Sequence, residues 1–189
     1  MTLEELTNPD FILFTSLILV PAYMANGMGP ILGGGRPLDG GKVFIDGRRI
    51  LGDGKTVNGT LGGILCGTLA SLGEIAVVNL FMSQFFSFSL NLLHALFGFV
   101  ISVGAISGDL TGAFIKRRLN LPRGASAPGL DQLDFVVAAL VFAWAFTRLV
   151  SVGGEVTWLT VVVVVTITPF IHLLSNYVAF KIGKKNEPW

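Results

Sequence analysis

The chain has 189 residues, of which 52% are hydrophobic and 13% charged, with a mean hydropathy of +0.72. Charged residues make up about a quarter of an ordinary soluble domain, so a soluble fold is excluded, and the abundance of apolar side chains excludes disorder. Thirteen Lys and Arg against 12 Asp and Glu leave a net charge of +1, which gives no case for a nucleic-acid partner; the single cysteine, Cys66, permits neither an internal disulfide nor a cysteine metal cage.

The uncharged runs define the elements. A helix needs roughly 20 apolar residues to cross the hydrocarbon core of a bilayer. Phe11 to Gly35 contains no Lys, Arg, Asp or Glu, and a first span is predicted over about 10–31. The stretch from Thr60 to Gly112 is too long for one helix and breaks at the polar and aromatic segment Ser83–Ser89, of the kind found at membrane interfaces. Two spans follow, about 60–81 and 89–113. A fourth is predicted over 132–150, with Arg148 able to snorkel to the headgroups, and a fifth over 156–180. The expectation is an all-α integral membrane protein: one membrane-embedded domain of five transmembrane helices, with functional loops at about 32–59 and 114–131. No basic segment precedes the first span, so no signal peptide is expected.

Twelve of the 13 basic residues fall on one side of this arrangement: Arg36, Lys42, Arg48, Arg49 and Lys55 between spans one and two, Lys116, Arg117, Arg118 and Arg123 between spans three and four, and Lys181, Lys184 and Lys185 after span five. Basic loops stay in the cytoplasm, which predicts an external N-terminus and a cytoplasmic C-terminus. The external loops, about 82–88 and 151–155, are too short to hold a domain, so function is expected in the membrane or at its cytoplasmic face.

The first cytoplasmic loop interleaves glycine with Arg36, Lys42, Arg48, Arg49 and Lys55. Closely approaching backbone N–H groups and basic side chains suit a polyphosphate. Gly54-Lys55-Thr56 is not a Walker A site, because Arg49 stands where its first glycine belongs and no strand precedes it. A flexible hairpin whose charges only set topology is the plainer reading, although its three aspartates, Asp39, Asp46 and Asp53, serve no such purpose. In the second segment Asp109 ends the uncharged run at the membrane boundary, where an unpaired carboxylate is costly. On a helix Lys116 lies two turns further along the same face. Asp131 and Asp134 share a face at the start of span four, where acidic groups also suit the helix dipole. Together the three aspartates can converge on one hard cation such as Mg²⁺, which takes a few carboxylates, substrate phosphates and water. Acids among Lys and Arg on one membrane face fit metal-assisted phosphoryl or nucleotidyl transfer better than a pore.

These motifs carry a resemblance. The run Gly52 to Gly63, with Lys55-Thr56, Gly59 and Gly62-Gly63, resembles the phosphate loop of membrane-bound phosphatidate cytidylyltransferases. Gly108-Asp109, Lys116-Arg117 and the spaced pair Asp131 and Asp134 resemble that group's closing signature. Asn26-Gly27, Gly33-Gly34-Gly35, Asp39 and Asp46 to Gly52, with Phe114 to Arg118 and Asp131 to Phe135, are similar to its short archaeal branch, the CDP-archaeol synthases. Pro128-Gly129-Leu130 departs from the bacterial pattern, whose histidine at that place is missing here. The resemblance implies transfer of CMP from CTP to a polyprenyl ether glycerol phosphate lipid bearing geranylgeranyl chains, giving unsaturated CDP-archaeol and pyrophosphate, with Mg²⁺ as cofactor. It implies a metal set of Asp109, Asp131 and Asp134, which with Lys116 form the catalytic set. Lys55, Lys116, Arg117 and Arg123 would bind phosphates, ahead of Arg36, Lys42, Arg48 and Arg49. Gly52, Gly54, Thr56, Asn58 and Gly59 would form the nucleotide loop, and Asp53 would touch metal or cytidine. The lipid tails would stay in the bilayer.

A transporter or channel for phosphorylated metabolites is the rival reading, supported by the intramembrane Glu74. It should show repeated halves or helices broken at the midplane, and no internal repeat is visible. A CDP-alcohol phosphotransferase is a second rival, but the residues after Asp46-Gly47 break that family's pattern. His94 and His172 read as packing or interfacial residues.

Overall fold

The computed structural model describes residues 3–122 and 124–181; Arg123, Lys184 and Lys185 lie outside the described residues. Helix α1 (Leu3–Thr7) is a short lead-in. The bundle is built from α2 (Pro9–Ile31), α3 (Val57–Val77), α4 (Leu92–Arg118), α5 (Leu130–Leu149) and α6 (Trp158–Lys181). Helix α3 continues through a π-helical turn, Val78–Met82, and a 3₁₀ turn, Ser83–Phe85. Five helices are long and apolar enough to cross a membrane, and the described residues contain no strand. The chain is a multi-pass membrane protein.

The helix starts are written locally. Asn8 caps α2, its side chain accepting from the Asp10 N–H at 2.9 Å, with Pro9 in the first turn. Asn91 caps α4 by accepting from the Leu93 N–H, and His94 Nδ1 accepts from the Asn91 N–H at 3.1 Å. That bond puts the imidazole proton on Nε2, 3.2 Å from the Val152 carbonyl. His94 is therefore a buried packing residue that ties α4 to the turn before α6. Glu74 faces α2 and accepts from Ser16 Oγ at 2.6 Å.

The principal difference from expectation is the length of α4. It runs to Arg118, five residues past the predicted span, because nothing between Asp109 and Arg118 breaks a helix and the three terminal cations suit its C-terminal dipole. At 1.5 Å per residue it is about 40 Å long and outreaches the ~30 Å hydrocarbon core. Lys116 to Arg118 thus stand on a rigid post rather than in a loop.

Lipid is as apolar as Leu, so helices associate in a membrane by close packing rather than hydrophobic exclusion. Here glycine supplies the closeness. Along α3, a β-carbon at Gly59 would lie 2.6 Å from the Gly29 carbonyl, at Gly63 2.7 Å from the Ala25 carbonyl, and at Gly67 2.6 Å from the Pro21 carbonyl. Along α4, a β-carbon at Gly104 would lie 2.9 Å from Phe142 Cβ, and at Gly108 or Gly112 it would collide with Asp134. The core fills the space between, with Leu17, Ile18, Phe97, Ile101, Phe135 and Val136 almost wholly buried. Helix α6 is held more lightly, by α5 and by the Tyr23 hydroxyl 2.9 Å from Thr168 Oγ1.

Gly63→Val should therefore destabilise the bundle by about 1–3 kcal/mol or more through overpacking. Gly73→Ala, with open space around its β-position, should stabilise it by up to about 1 kcal/mol. Thermal unfolding in detergent checks both.

Candidate active site

The first loop is folded. Its limbs pair where Leu38 N–H donates to the Lys55 carbonyl at 2.7 Å and Val57 N–H to the Arg36 carbonyl at 3.1 Å. A hairpin over residues 42–50 closes with Phe44 N–H on the Arg48 carbonyl at 2.7 Å and Ile50 N–H on the Lys42 carbonyl at 3.1 Å.

Asp39 ties these parts together. Its side chain is almost fully buried and accepts from Arg49 Nη2 at 2.7 Å, Leu51 N–H at 3.0 Å, Gly52 N–H at 2.9 Å and Gly41 N–H at 3.0 Å. The Arg49 guanidinium beside it, with these N–H groups, holds the Asp39 carboxyl well below the usual carboxylate range, against the opposing effect of burial. Arg49 is raised in turn by Asp39 and by Asp53, 2.7 Å from its Nη1. Gly52 turns the chain out of this knot with φ +89°, a conformation that L side chains rarely adopt.

Thr56 ends the loop. It is buried, and its Oγ1 accepts from the Gly59 N–H at 3.1 Å and the Gly34 N–H at 3.2 Å, so it caps α3 and pins the start of the loop to its end. The Asn58 amide lies against Gly35. Between the ends of α2, α3 and α4 a small cleft is lined by Gly54, Lys55, Thr56, Thr60, Asp109 and Leu110.

Lys55 reaches across this cleft and donates to both Asp109 oxygens, at 2.6 and 2.5 Å. Lys116, two turns along α4, donates to Asp131 Oδ1 at 2.6 Å, and Asp131 Oδ2 accepts from the Ala127 N–H at 2.8 Å. Asp134 lies within Coulombic reach of Asp109, Lys55 and Asp131. Its side chain fits against Gly112, and Oδ1 accepts from the Phe135 N–H at 2.7 Å. Arg117 Nη2 donates to the Pro122 carbonyl at 3.4 Å, its Nε is buried without a hydrogen-bond partner, and its chain passes 3.9 Å from a β-carbon placed on Gly52. Two carboxylate–ammonium pairs, a third carboxylate, an arginine and glycine backbone thus share one end of the bundle. Such an arrangement can hold several negative charges while its own cations stay close enough to exchange partners.

A family model described as CarS-like, CDP-archaeol synthase, matches residues 9–189. The chain belongs to the CDP-archaeol synthase family. A CDP-archaeol synthase of Methanocaldococcus jannaschii is 46% identical over 181 residues, covering 94% of this chain and 98% of its own. One of Thermococcus kodakarensis is 48% identical over 171 residues, covering 90% and 92%. A solved structure, described as an intramembrane enzyme for archaeal membrane lipids biosynthesis, superposes with a TM-score of 0.70 at 37% identity, covering 85% of this chain and 91% of that one. Membership makes the chain an enzyme, and the transporter reading is not favoured; α2 continues through Pro21 and Pro30, and α6 through Pro169.

The structure brings together Lys55, Asp109, Lys116, Arg117, Asp131 and Asp134 with Gly52, Gly54, Thr56 and Gly59. It does not gather Asp109, Asp131 and Asp134 into a three-ligand metal cluster among the described residues. Lysines engage two of them, and the third turns back on its own helix. Asp53 points outward onto Arg49, and Arg49 is committed to Asp39 and Asp53. Arg36 and Lys42 are exposed. Sequence reasoning did not find the organising role of Asp39 or the docking of Arg118 on Asp46. Each joins partners separated by a glycine-rich stretch or by two helices, and no periodicity links them.

Asp39→Asn would set an amide NH₂ against the Arg49 guanidinium and should destabilise the loop by about 2 kcal/mol. A carboxyl depressed in the folded state lends stability that is complete above its unfolded pKa, about 3.9, and is lost as pH falls toward its depressed value. Protease resistance of the loop in the native protein should thus decline below about pH 4, and the Asn variant should lack that component of the decline.

Proposed function

We propose that the chain transfers CMP from CTP to the phosphate of a polyprenyl ether glycerol phosphate lipid, releasing pyrophosphate. The observation that carries this reading is the paired arrangement of Lys55 with Asp109 and Lys116 with Asp131 near Asp134, in a chain of this family. The lipid phosphate monoester is already an oxygen nucleophile at neutral pH, so the chemistry asks mainly for alignment and charge neutralisation. A lipid phosphate oxygen forms the new bond to the α-phosphorus of CTP, and the bond to the β-phosphate oxygen breaks in line with it. Lys55, standing at the mouth of the glycine loop, and Arg117 beside Gly52 suit the triphosphate. Lys116, higher on the α4 post, suits the incoming or departing phosphate. Asn58 and the N-terminus of α3 add donors and a positive dipole end.

The donor set fits Mg²⁺ entering with its substrate. The acids are oxygen donors only, and Mg²⁺ is usually held by one or two carboxylates plus substrate phosphates and water rather than by an all-protein cage. Asp109, Asp131 and Asp134 are the residues that would hold it. Once bound it would neutralise charge on the triphosphate and the departing pyrophosphate. A bound nucleotide would offer Lys55 and Lys116 phosphate partners in place of Asp109 and Asp131, whose oxygens would then be open to a cation. We further place the loop end of the bundle in the cytoplasm, where CTP is, in keeping with the basic residues gathered there.

Asp109→Asn preserves shape while removing the charge at the boundary. It should lower kcat/KM for CTP-dependent product formation by at least about 100-fold, while the folded protein remains extractable in detergent. Retained activity with an unchanged Mg²⁺ dependence would overturn the assignment of Asp109.

A further inference from the structure

The hairpin over residues 42–49 has a tip unlike a soluble turn. Val43, Phe44 and Ile45 follow one another, with Ile45 94% and Val43 58% exposed. Lys42 and Arg48 flank them and are exposed, and neither forms an ion pair among the described residues.

Besides the hold of Arg49 on Asp39, the hairpin is fastened to α4. Arg118, the last residue of α4, stacks its guanidinium on Phe44 at 5.0 Å and Phe114 at 4.7 Å, while these two rings meet edge to face at 5.3 Å. Its Nε lies 3.2 Å from Asp46 Oδ2, its Nη2 donates to the Arg49 carbonyl at 2.5 Å, and its own carbonyl accepts from Arg48 Nη1. Where this latch sits on α4 decides where the tip goes. At 100° per residue, Phe114 and Arg118 continue the strip that carries Leu92, Leu96 and Phe99, each exposed and facing away from α2, α3 and α5. The hairpin therefore hangs on the side of α4 that carries these exposed apolar residues, latched nine residues beyond Asp109. Ile115 and Leu119, beside the latch, are exposed as well.

We infer that the hairpin is an interfacial anchor, which lowers Val43 and Ile45 into the headgroup layer of the leaflet at the loop end of the bundle. Its partner is the anionic lipid surface of the chain's own membrane. Apolar residues flanked by Lys and Arg are the composition that settles at such a boundary, with the aliphatic groups among acyl carbons and the cations among phosphates. Through Arg118 and the Asp39 knot, the depth of the tip sets the position of Gly52 to Lys55 over the cleft. The cap is thereby referenced to the surface on which the lipid phosphate lies.

A nitroxide on Ile45→Cys, in a Cys66→Ser background of the full chain, tests this in vesicles of phosphatidylcholine and phosphatidylglycerol. The label should be open to oxygen and shielded from an aqueous nickel chelate, intermediate between labels at the lipid-facing Val141 and the water-facing Asp53. Nickel access equal to that at Asp53 would overturn the proposal, as would shielding from both reagents, which would report a second copy of the chain on the hairpin. A second variant reads the consequence. Ile45→Asp changes a fully exposed side chain and should raise KM for the lipid phosphate about tenfold, leaving KM for CTP and the unfolding temperature unchanged. An unchanged lipid KM would contradict the coupling of cap to membrane. The depth measurement needs no turnover, so it stands or fails separately from the proposed reaction.

Discussion

The fold depends on how closely α3 and α4 approach their neighbours. Gly59, Gly63 and Gly67 let α3 lie on the backbone of α2, and Gly104, Gly108 and Gly112 let α5 lie on α4. In a bilayer, where apolar side chains gain little by leaving lipid, such contacts replace the hydrophobic drive of soluble proteins. They also position the chemistry. Gly59 stands three residues after Thr56, whose cap holds Lys55 at the cleft, and Gly108 and Gly112 flank Asp109 while receiving Asp134. One device thus sets both the helix spacing and the distance between the charged groups.

Those groups meet a second constraint. Carboxylates at the edge of a membrane are costly unless partnered, and here Asp109 and Asp131 each have a lysine. Both pairs are partly exposed, with side-chain exposures between 20% and 27%, so they are wet enough to exchange partners. Asp39 is the contrast, sealed by Arg49 and three backbone N–H groups. Of the exchangeable pairs, Lys55 and Asp109 line the cleft, and the sealed one braces the loop.

Much of this was legible in the sequence, for stated physical reasons. Uncharged runs of about 20 residues or more are distinctive and mark the first, third and fifth spans, whereas Glu74 interrupts the second and the fourth has only 13 uncharged residues, 135–147, between Asp134 and Arg148. Asp109 stands out because it ends such a run, and Asp131 and Asp134 because three-residue spacing shares a helix face. The end of α4 was harder to read. Charge marks where a chain leaves the membrane, whereas a helix ends only where its backbone is interrupted, here after Arg118. The loop was hardest. Asp39 and Arg49 are ten residues apart across turns with no repeating period, and Arg118 meets Asp46 from the far side of two helices, so only coordinates reveal the knot and the latch. Glu74 accepts from Ser16 across the α2–α3 contact through one carboxyl oxygen, while the other, Oε2, is buried without a hydrogen-bond partner.

The central claim is that this cleft joins the α-phosphorus of CTP to a lipid phosphate. It is tested most directly with protein in vesicles given Mg²⁺, the ether lipid phosphate, and CTP labelled at either the α- or the γ-phosphate. The α-label should appear in a lipid product in step with pyrophosphate release, and the γ-label should appear only in pyrophosphate. Label from the γ-position in lipid, or entry of intact CTP into the vesicles without any lipid product, would contradict the account.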